Sequence, residues 1–341
     1  MLERTHGTHV EEAAPTVSKR PNILIYGASA PDDVPGLTAH LPGYAFRCVP
    51  EGGDLAGALP DAEVILGWKF NAKELQSNWS HATKVRWVHW CGAGVDAALF
   101  PELASSDVVL TNARGLFDDA MAEYAAGLVI GLAKGFWPMF KAQEERRWGY
   151  AMTETVADKQ ALIVGAGSIG TAMGAKLKAL SMKVEGIART ARPGDAVFSS
   201  IGGMNDLNAA LNRADYVLLV TPLTEQTRNL FAAPQFKAMQ PHARFLNFGR
   251  GPLVVEEDLI TALRDGEIAG AALDVFCEEP LSEKNPIWDA PNLIVSPHMS
   301  GDFHGYFEMM AKQFVDNLKR YLDGQAMMNV VDKEVGYVPR D

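Results

Sequence analysis

The amino-acid sequence predicts an α/β protein of two domains, each with a parallel, doubly wound sheet. Three observations support this fold class. The chain has 341 residues, which exceeds the usual size of one domain. Hydrophobic residues make up 48% of it and charged residues 21%, a composition typical of a well-packed globular protein. Short apolar runs alternate with helical patterns along the chain, which is the rhythm of βαβ units.

The first series of βαβ units begins at Pro21, with helix-like stretches near 54–59 and 71–77. Its predicted strands are the apolar runs NILIYG, YAFRCV, AEVILGW, RWVHW and VVLTN. A long amphipathic segment, DDAMAEYAAGLVIGLAKGF, predicts a helix with Asp118 as its N-cap and its end at the break from Gly135 to Pro138. A polar stretch, residues 141–160, then leads to a second series.

The second series predicts a complete dinucleotide-binding sheet. Its strands are ALIVGA, KVEGIA, DYVLLV, ARFLNF, IAGAALDVF and NLIVSP, and six is the number such a sheet has. One amphipathic helix, about 303–323, follows, and NVVDKEVGY comes after it.

The charge and the composition argue against several classes of protein and several kinds of partner. The formal net charge is −11 and Lys or Arg residues form no long run, which argues against nucleic acid or an anionic membrane as a partner. No apolar run approaches the ~20 residues that span a bilayer. Residues 1–20 are expected to be a mobile tail, neither secretory signal nor transit peptide. The three cysteines are far apart without metal spacing, so we expect no metal site and a reducing cytoplasm.

A glycine-rich motif follows the first strand of the second series. Gly165, Gly167 and Gly170 fit the pattern G-x-G-x-x-G in GAGSIG, directly before the helical pattern TAMGAKLKAL. Glycines allow the tight turn and the close approach of a pyrophosphate, whose charge is met by N–H groups at the helix N-terminus. Ser168 and Ile169 lie within the same loop. The motif predicts a dinucleotide site.

The end of the next strand bears on the choice between NAD and NADP. NAD-binding sheets carry an acidic residue there, whereas this chain has Ala188 followed by Arg189 and Thr190. Because an arginine suits a 2′-phosphate, we expect NADP, with NAD as the alternative cofactor. The alternative interpretation is that Arg189 and Arg192 are solvated and that Glu185 contacts the ribose.

Three residues past the ends of later strands are candidates for catalysis. Arg250 follows one strand, Glu279 follows another, and His298 ends the last. Ligands bind at the carboxyl ends of parallel strands, so these three side chains are expected at one sheet edge. Each alone is more often structural, but together they favour a functional site.

These segments resemble the signature blocks of the D-isomer-specific 2-hydroxyacid dehydrogenases over nearly the whole chain. GAGSIG resembles the nucleotide loop of that family, and NFGRG, ALDVFCEEPL and SPH resemble its arginine, glutamate and histidine blocks. RWVHWCGAGVD resembles its substrate-carboxylate loop. Two departures are Phe248, where a small residue is common, and Ala188. The resemblance implies a flavodoxin-like substrate domain, a Rossmann nucleotide-binding domain and a homodimer.

The resemblance also implies residue roles. Arg250 resembles the anchor of the substrate carboxylate and carbonyl oxygen, and His298 resembles the acid/base that Glu279 orients. Ala93 and Gly94 resemble a second carboxylate site formed by backbone amides. The complete cofactor set comprises Gly165, Gly167, Ser168, Ile169, Gly170, Arg189, Thr190, Pro222, Phe248, Gly249 and Asp274, of which Asp274 resembles the residue that takes the nicotinamide carboxamide. Trp68, Lys69 and Trp90 are weaker candidates for the pocket.

The expected function is reduction of a 2-oxo acid to a D-2-hydroxy acid. Expected boundaries are 21–112 plus 300–341 for the substrate domain and 113–299 for the nucleotide-binding domain. The alternative from another class is a nucleotide-sensing regulatory protein of the same fold. A further alternative is a related enzyme acting on formate or phosphonate, and Glu279 beside His298 argues against formate. The sequence does not identify the substrate's R-group or show whether Trp148 reaches a neighbouring subunit.

Overall fold

The computed structural model describes residues 20–339. The predicted mobile tail, residues 1–20, lies outside the described residues except for Arg20. Within the described residues the strands form two sheets, as expected for an α/β fold of two parallel sheets.

The first sheet contains five strands of the described chain, all parallel. They are β1 (Ile23–Tyr26), β2 (Phe46–Val49), β3 (Val64–Gly67), β4 (Trp87–Trp90) and β5 (Val109–Asn112). Their order is β2-β1-β3-β4-β5, the flavodoxin-like order. The apolar strands β1, β3 and β4 are buried along their whole length because parallel sheets are covered on both faces.

Four short helices connect these strands, and two helices then lead to the second sheet. They are α1 (Leu37–His40), α2 (Leu55–Ala58), α3 (Lys73–Ser77), α4 (Pro101–Ala104), α5 (Asp118–Lys134) and α6 (Phe136–Glu144). α5 ends where predicted, because Gly135 takes the left-handed conformation with φ 63° and its N–H caps Leu132 and Gly131.

Eight strands of the described chain form the second sheet. They are β6 (Gln160–Val164), β7 (Lys183–Ile187), β8 (Arg192–Pro193), β9 (Ser200–Gly202), β10 (Tyr216–Leu219), β11 (Arg244–Asn247), β12 (Gly270–Leu273) and β13 (Leu293–Val295). The order is β13-β12-β11-β10-β6-β7-β9-β8, and only β8 among these strands is antiparallel to its neighbour. The topology reverses between β6 and β10, where open α/β sheets bind ligands.

The remaining helices cover the second sheet and return to the first. They are α7 (Ser168–Ala179), α8 (Leu207–Leu211), α9 (Ala233–Ala238), α10 (Glu256–Arg264) and α11 (Tyr306–Leu322). α11 packs on the first sheet, where Phe314 stacks on Trp87 with ring centroids 5.4 Å apart. Its buried face includes Met310, Ala311, Val315 and Leu318.

Three expectations about these elements need correction. The second sheet contains all six predicted strands, but β8 and β9 were not predicted; β9 takes the third place of the dinucleotide-binding order and β13 is an additional strand beyond it. Asp118 is not the N-cap of α5: Phe117 is, and Asp118 begins the helix. The polar stretch 141–160 begins inside α6, which follows Gly135 at once and contains Pro138 in its first turn.

Candidate active site

The glycine-rich loop between β6 and α7 makes a tight turn and leaves space beside the N-terminus of α7. Gly165 has φ +116°, and a Cβ there would lie 2.7 Å from the backbone of Val220 and Thr221. A Cβ on Gly170 would lie 2.1 Å from the carbonyl oxygen of Gly165, so the helix can approach the strand only with glycine. A Cβ on Gly167 would meet nothing within 4 Å. The loop therefore has free space beside the N-terminus of α7, where backbone N–H groups lack helical partners and fit a pyrophosphate.

Ser168 joins this loop to α5 through its side chain. Its hydroxyl donates a hydrogen bond to Oδ2 of Asp118. Burial raises the pKa of Asp118, while the Ser168 hydrogen bond and the Arg114 charge act in the opposite direction. Because the Ser168 hydroxyl is used in this way, the backbone N–H of Ser168 is the group that remains for a ligand. Ile169 follows it in the first turn of α7.

The segment after β7 carries exposed Arg189 and Thr190. The Arg189 guanidinium carbon lies 5.6 Å from the ring centroid of Tyr337, a cation–π contact. Nη2 of Arg192 donates to the carbonyl oxygen of Ala166 at 2.9 Å, so Arg192 contacts the glycine loop. Glu185 lies inside β7, and its carboxylate accepts a hydrogen bond from Nε of Arg213 at 2.9 Å.

The ends of β10 and β11 lie beside the glycine loop. The Thr221 hydroxyl is buried and has no hydrogen-bond partner among the described residues, and exposed Pro222 follows it. After β11, Phe248 is buried at 3% exposure and packs in the core. The N–H of Gly249 donates to Oδ1 of Asn247 at 3.0 Å. A Cβ on Gly249 would lie 3.0 Å from the Thr221 carbonyl oxygen, so these strand ends pack closely.

Asp274, at the end of β12, is 1% exposed and organises the backbone that follows His298. Its Oδ1 accepts hydrogen bonds from the Ser296 hydroxyl and from the N–H of Met299 at 3.0 Å. Its Oδ2 accepts the N–H of Ser300 at 3.0 Å. A carboxylate oxygen can accept two hydrogen bonds, so Oδ2 retains capacity for an amide.

Arg250 connects the second sheet to the loop after β4. Its Nε donates to the Asp96 carboxylate, at 3.1 Å to Oδ1 and 3.3 Å to Oδ2, and its Nη1 donates to the Gly249 carbonyl oxygen at 2.9 Å. A Cβ on Gly94 would lie 2.2 Å from Nη2 of Arg250. The loop of Ala93 and Gly94 therefore contacts the guanidinium directly, and a side chain at position 94 would displace the guanidinium from this position.

His298 and Glu279 form a pair. Nδ1 of His298 lies 2.7 Å from Oε2 of Glu279, and Oε1 of Glu279 accepts the N–H of Phe276 at 2.8 Å. Burial alone would raise the pKa of Glu279, but the hydrogen bonds from His298 and Phe276 and the charge of Arg250 outweigh it and lower that pKa. Arg250 is therefore close enough to act on the pair electrostatically, and the carboxylate stays charged.

The structure brings the candidate residues together at the carboxyl ends of the second sheet. Arg250, Glu279 and His298 lie at one edge with Asp274 and Gly249, and Ala93 and Gly94 meet them from the first sheet. The weaker candidates differ: Trp68 and Trp90 are buried core residues, and exposed Lys69 lies 3.9 Å from the Glu51 carboxylate.

Several residues of the site were not predicted. Asp96 accepts a hydrogen bond from Arg250. It is the last residue of the motif RWVHWCGAGVD, but no role was predicted for it. The Tyr124 hydroxyl donates to the Ser296 hydroxyl at 2.8 Å, and Ser296 in turn donates to Asp274. The Asn112 side-chain amide donates to the Ala93 carbonyl oxygen. The position of Asp96 in a recognised motif could have identified it. Tyr124 lies far from its partner in the sequence and in no recognised motif, so no sequence pattern indicated it.

Two further findings concern residues 20–339. No cluster of three or more His, Cys, Asp or Glu side chains there could hold a metal ion. No helix of this part of the chain combines the length and apolar character needed to cross a membrane.

A dinucleotide-type sheet with an arginine and a His–Glu pair at its ligand edge has the groups that a nucleotide-dependent oxidoreductase needs. Comparison with known proteins agrees with this class. Residues 126–300 match the family model described as the NAD binding domain of D-isomer specific 2-hydroxyacid dehydrogenases. Over 329 residues the chain is 31% identical to a glyoxylate/hydroxypyruvate reductase B of Citrobacter koseri, covering 93% of this chain and 99% of that protein.

Two solved structures are similar throughout. A D-isomer specific 2-hydroxyacid dehydrogenase from Xanthobacter autotrophicus Py2, in complex with NADPH and MES, has a TM-score of 0.81 and 30% identity. An NADPH-dependent glyoxylate/hydroxypyruvate reductase from Sinorhizobium meliloti, in complex with NADP and sulfate, has a TM-score of 0.81 and 27% identity. Each match covers 93% of this chain and 100% of the other. The chain belongs to the D-isomer specific 2-hydroxyacid dehydrogenase family, which confirms the predicted family, fold class and enzyme class.

Proposed function

We propose that this protein uses NADPH to reduce a small 2-oxo acid, of the glyoxylate or hydroxypyruvate type, to the D-2-hydroxy acid. The observation that carries the proposal is the His298–Glu279 hydrogen bond beside Arg250, at the sheet edge that holds the glycine loop. The relatives named as glyoxylate/hydroxypyruvate reductases support the substrate class.

The His–Glu pair supports proton transfer at a defined ring atom. When bound, NADPH supplies a hydride to the substrate carbonyl carbon. Because Nδ1 of His298 is bonded to Glu279, the proton for the carbonyl oxygen would come from Nε2. Hydride and proton together convert the carbonyl to a secondary or primary alcohol. The charged Glu279 favours the imidazolium and fixes the ring.

Arg250 supports recognition of the acid. Its Nε is occupied by Asp96 and one Nη1 donor by the Gly249 carbonyl oxygen, so the remaining N–H groups on the two Nη atoms would bind the substrate. Backbone amides near Ala93 and Gly94 would bind the other carboxylate oxygen. Asp96 then fixes the orientation of the guanidinium.

The segment after β7 supports NADP over NAD. Ala188 removes the acidic residue that would repel a 2′-phosphate, and Arg189, Thr190 and Arg192 provide donors. Glu185, the alternative ribose contact, is already paired with Arg213. Asp274 would take the nicotinamide carboxamide through the free capacity of Oδ2, with Pro222, Phe248 and Gly249 lining the cofactor at neighbouring strand ends.

The test is a panel of 2-oxo acids assayed with NADPH and with NADH. One charge-assisted hydrogen bond is worth roughly 1.5–3 kcal/mol, or about 10- to 150-fold in affinity, so we expect NADPH to be favoured at least tenfold. Arg189→Ala should remove most of this ratio with little effect on NADH use, and Arg264→Ala, at the exposed end of α10, serves as the control. A higher kcat/KM with NADH than with NADPH in the unmodified protein contradicts the proposal.

The configuration can be tested only with a substrate whose reduction creates a stereocentre. Hydroxypyruvate gives a chiral hydroxy acid, whereas glyoxylate does not, so chiral analysis of the hydroxypyruvate product tests the D configuration. Absence of turnover with every acid, combined with tight nucleotide binding, would instead favour the regulatory alternative.

We also propose the domain boundaries, the oligomeric state and the location of the protein. The substrate domain comprises residues 21–112 plus 300–341, the nucleotide-binding domain comprises 113–299, and the protein acts as a cytoplasmic homodimer. Exposed Phe136, Trp137, Met139 and Phe140 on α6 support the dimer, because a cluster of large exposed apolar side chains marks an interaction surface.

A further inference from the structure

The chain after α11 forms a small hairpin, residues 330–338, which we call the C-terminal hairpin. It begins beside β5, where Val330 bridges Thr111 and the N–H of Val331 donates to the Leu110 carbonyl oxygen at 2.8 Å. Asp332 and Tyr337 then pair as an antiparallel bridge. The side chain of Asp332 accepts the N–H of Glu334 at 2.9 Å, which closes the turn.

The hairpin is anchored on the first sheet. Val331 is 5% exposed and packs with the core on one face of that sheet, and Val338 packs against the same cluster. Nζ of Lys333 donates to the carbonyl oxygens of Leu103 at 3.2 Å and Val108 at 3.0 Å, and to that of Ser106. These bonds satisfy the end of α4 and fix the hairpin in place.

Its tip, however, touches loops of the second sheet. The Tyr337 ring lies under the Arg189 guanidinium, 5.6 Å from ring centroid to Cζ. A Cβ on Gly336 would lie 3.7 Å from Leu99 and 3.9 Å from Cγ2 of Thr224. Arg189 follows β7 and Thr224 follows β10, so the tip lies at strand ends that flank the glycine loop.

We propose that Tyr337 is a specificity-determining residue for NADP, acting by holding Arg189 in position for the 2′-phosphate. Arg189 is exposed, and within residues 20–339 its guanidinium contacts the Tyr337 ring. A free arginine side chain loses rotamer entropy when it binds a ligand, and a ring that restricts it beforehand reduces that loss. The proposal rests on the proposed NADP preference and assigns part of it to the hairpin.

A purely structural role of Tyr337 predicts a different outcome. If the ring only packs the hairpin, its removal lowers stability or weakens all nucleotides alike. If it orients Arg189, its removal weakens only ligands with a 2′-phosphate, and only while Arg189 is present.

The experiment measures dissociation constants by calorimetry for adenosine 2′,5′-bisphosphate and for 5′-AMP, using the full chain. Tyr337→Leu should weaken the bisphosphate about two- to fivefold, the size of an exposed cation–π contact, and leave 5′-AMP unchanged. Tyr337→Phe should keep the wild-type value because the ring remains. In the Arg189→Ala background, Tyr337→Leu should have no further effect.

Tyr44→Leu is the matched control, because Tyr44 also lies under an arginine, with Arg20 Cζ 5.9 Å from its ring, but at the first sheet. It should change neither constant. Thermal unfolding of each variant distinguishes loss of the Arg189 contact from a general loss of protein stability.

Equal weakening of both ligands by Tyr337→Leu, or the same loss without Arg189, overturns the inference. If Arg189→Ala removes the bisphosphate preference but Tyr337→Leu does not reduce it, this inference fails and the proposed cofactor stands. If the wild type shows no preference for the bisphosphate, the NADP proposal fails and the inference fails with it.

Discussion

The Glu279 carboxylate keeps its charge although it is partly desolvated, because His298, the N–H of Phe276 and the Arg250 charge outweigh this desolvation. Glu279→Gln preserves shape but removes the charge that favours imidazolium. Reduction needs the protonated ring and is lost as pH rises, so this loss should occur at lower pH in the variant. The maximal rate should fall roughly 10- to 100-fold.

Measuring the pH dependence of both reaction directions tests whether the Glu279→Gln profile moves to lower pH, as expected. Oxidation of the hydroxy acid needs the neutral ring, so its rise with pH should also move to lower pH in Glu279→Gln. Glu278→Gln, next to the pair and exposed, should leave both profiles in place. Profiles of Glu279→Gln that coincide with the wild type would contradict a role for Glu279 in the protonation of His298.

Asp96 holds Arg250 through Nε and the Gly249 carbonyl oxygen accepts from Nη1, so the remaining Nη donors would bind the substrate. Arg250→Lys keeps the charge but offers neither the Nε contact nor two parallel donors, so kcat/KM for 2-oxo acids should fall by at least about 100-fold. Affinity for NADPH, measured without substrate, should stay near the wild-type value. Arg47→Lys is the control, because Arg47 is an exposed residue of β2 in the first sheet. Unchanged kcat/KM in Arg250→Lys would make Arg250 a structural charge.

The sequence was sufficient to select the candidate residues that the structure brings to one sheet edge, but not the residues that contact and orient them. Arg250, Glu279 and His298 stand in motifs at strand ends, where topology alone brings them to one edge. Tyr124, Ser296 and Tyr337 act through contacts whose partners lie far away in the chain. Such partners depend on how helices and the C-terminal hairpin pack, which no local pattern encodes.

At the scale of elements, Asp215 ties the amino ends of two strands together, away from the candidate active site. Its Oδ2 accepts the N–H of Gln160 at 2.7 Å, while Lys159 and His242 contact Oδ1 at 3.4 and 2.9 Å. Burial acts to raise the pKa of Asp215, but these partners together lower it. A carboxylate with a lowered folded-state pKa stabilises the protein above its unfolded pKa, about 3.9, and this stabilisation is lost as pH falls through the folded value.

Asp215→Asn should therefore reduce the free energy of unfolding at pH 7 by about 1–3 kcal/mol. The deficit should begin to shrink as pH falls below the unfolded pKa, about 3.9, and should vanish only below the folded-state pKa, where the wild-type carboxyl is protonated in both states. Urea unfolding at a series of pH values, down to the lowest pH at which the wild type is folded, measures the deficit at pH 7 and its dependence on pH. Asp265→Asn, exposed at the end of α10, provides the comparison, and a deficit independent of pH would rule out the charge as its source.

Long apolar strands were predictable, and short or partly polar elements were not. β10 and residues 161–164 of β6 are continuous apolar runs that are buried along their length, so their pattern is strong. β9 has only Ser200, Ile201 and Gly202, and its pairing depends on β7 beside it. α6 begins directly after a glycine and contains a proline, two residues that ordinarily indicate a break.

At the scale of the whole molecule, one continuous core links the two sheets. It contains Trp87 and Phe314 under α11, residues of α5 such as Ala125 and Val129, and Ile163 in the second sheet. α5 thus packs on both halves, while Arg250–Asp96 and Arg189–Tyr337 connect them at the strand ends. The candidate active site lies where these connections converge.

The outer surface of α6 leads to the last prediction, that the protein is a homodimer. Met139 and Phe140 are 49% and 50% exposed, and beyond the helix Trp148 is 96% exposed, so a large apolar surface faces solvent in one chain. A monomer rarely exposes such a surface, and a second copy covers it by two-fold symmetry. Light scattering should give twice the 37.0 kDa mass of the chain. Phe140→Glu should give the single-chain mass because burying an unpaired carboxylate in the interface is costly, whereas Trp288→Glu, at a separate exposed site, should remain dimeric. A wild-type protein that is monomeric at micromolar concentration, or a Phe140→Glu variant that remains dimeric, would exclude this surface as the interface.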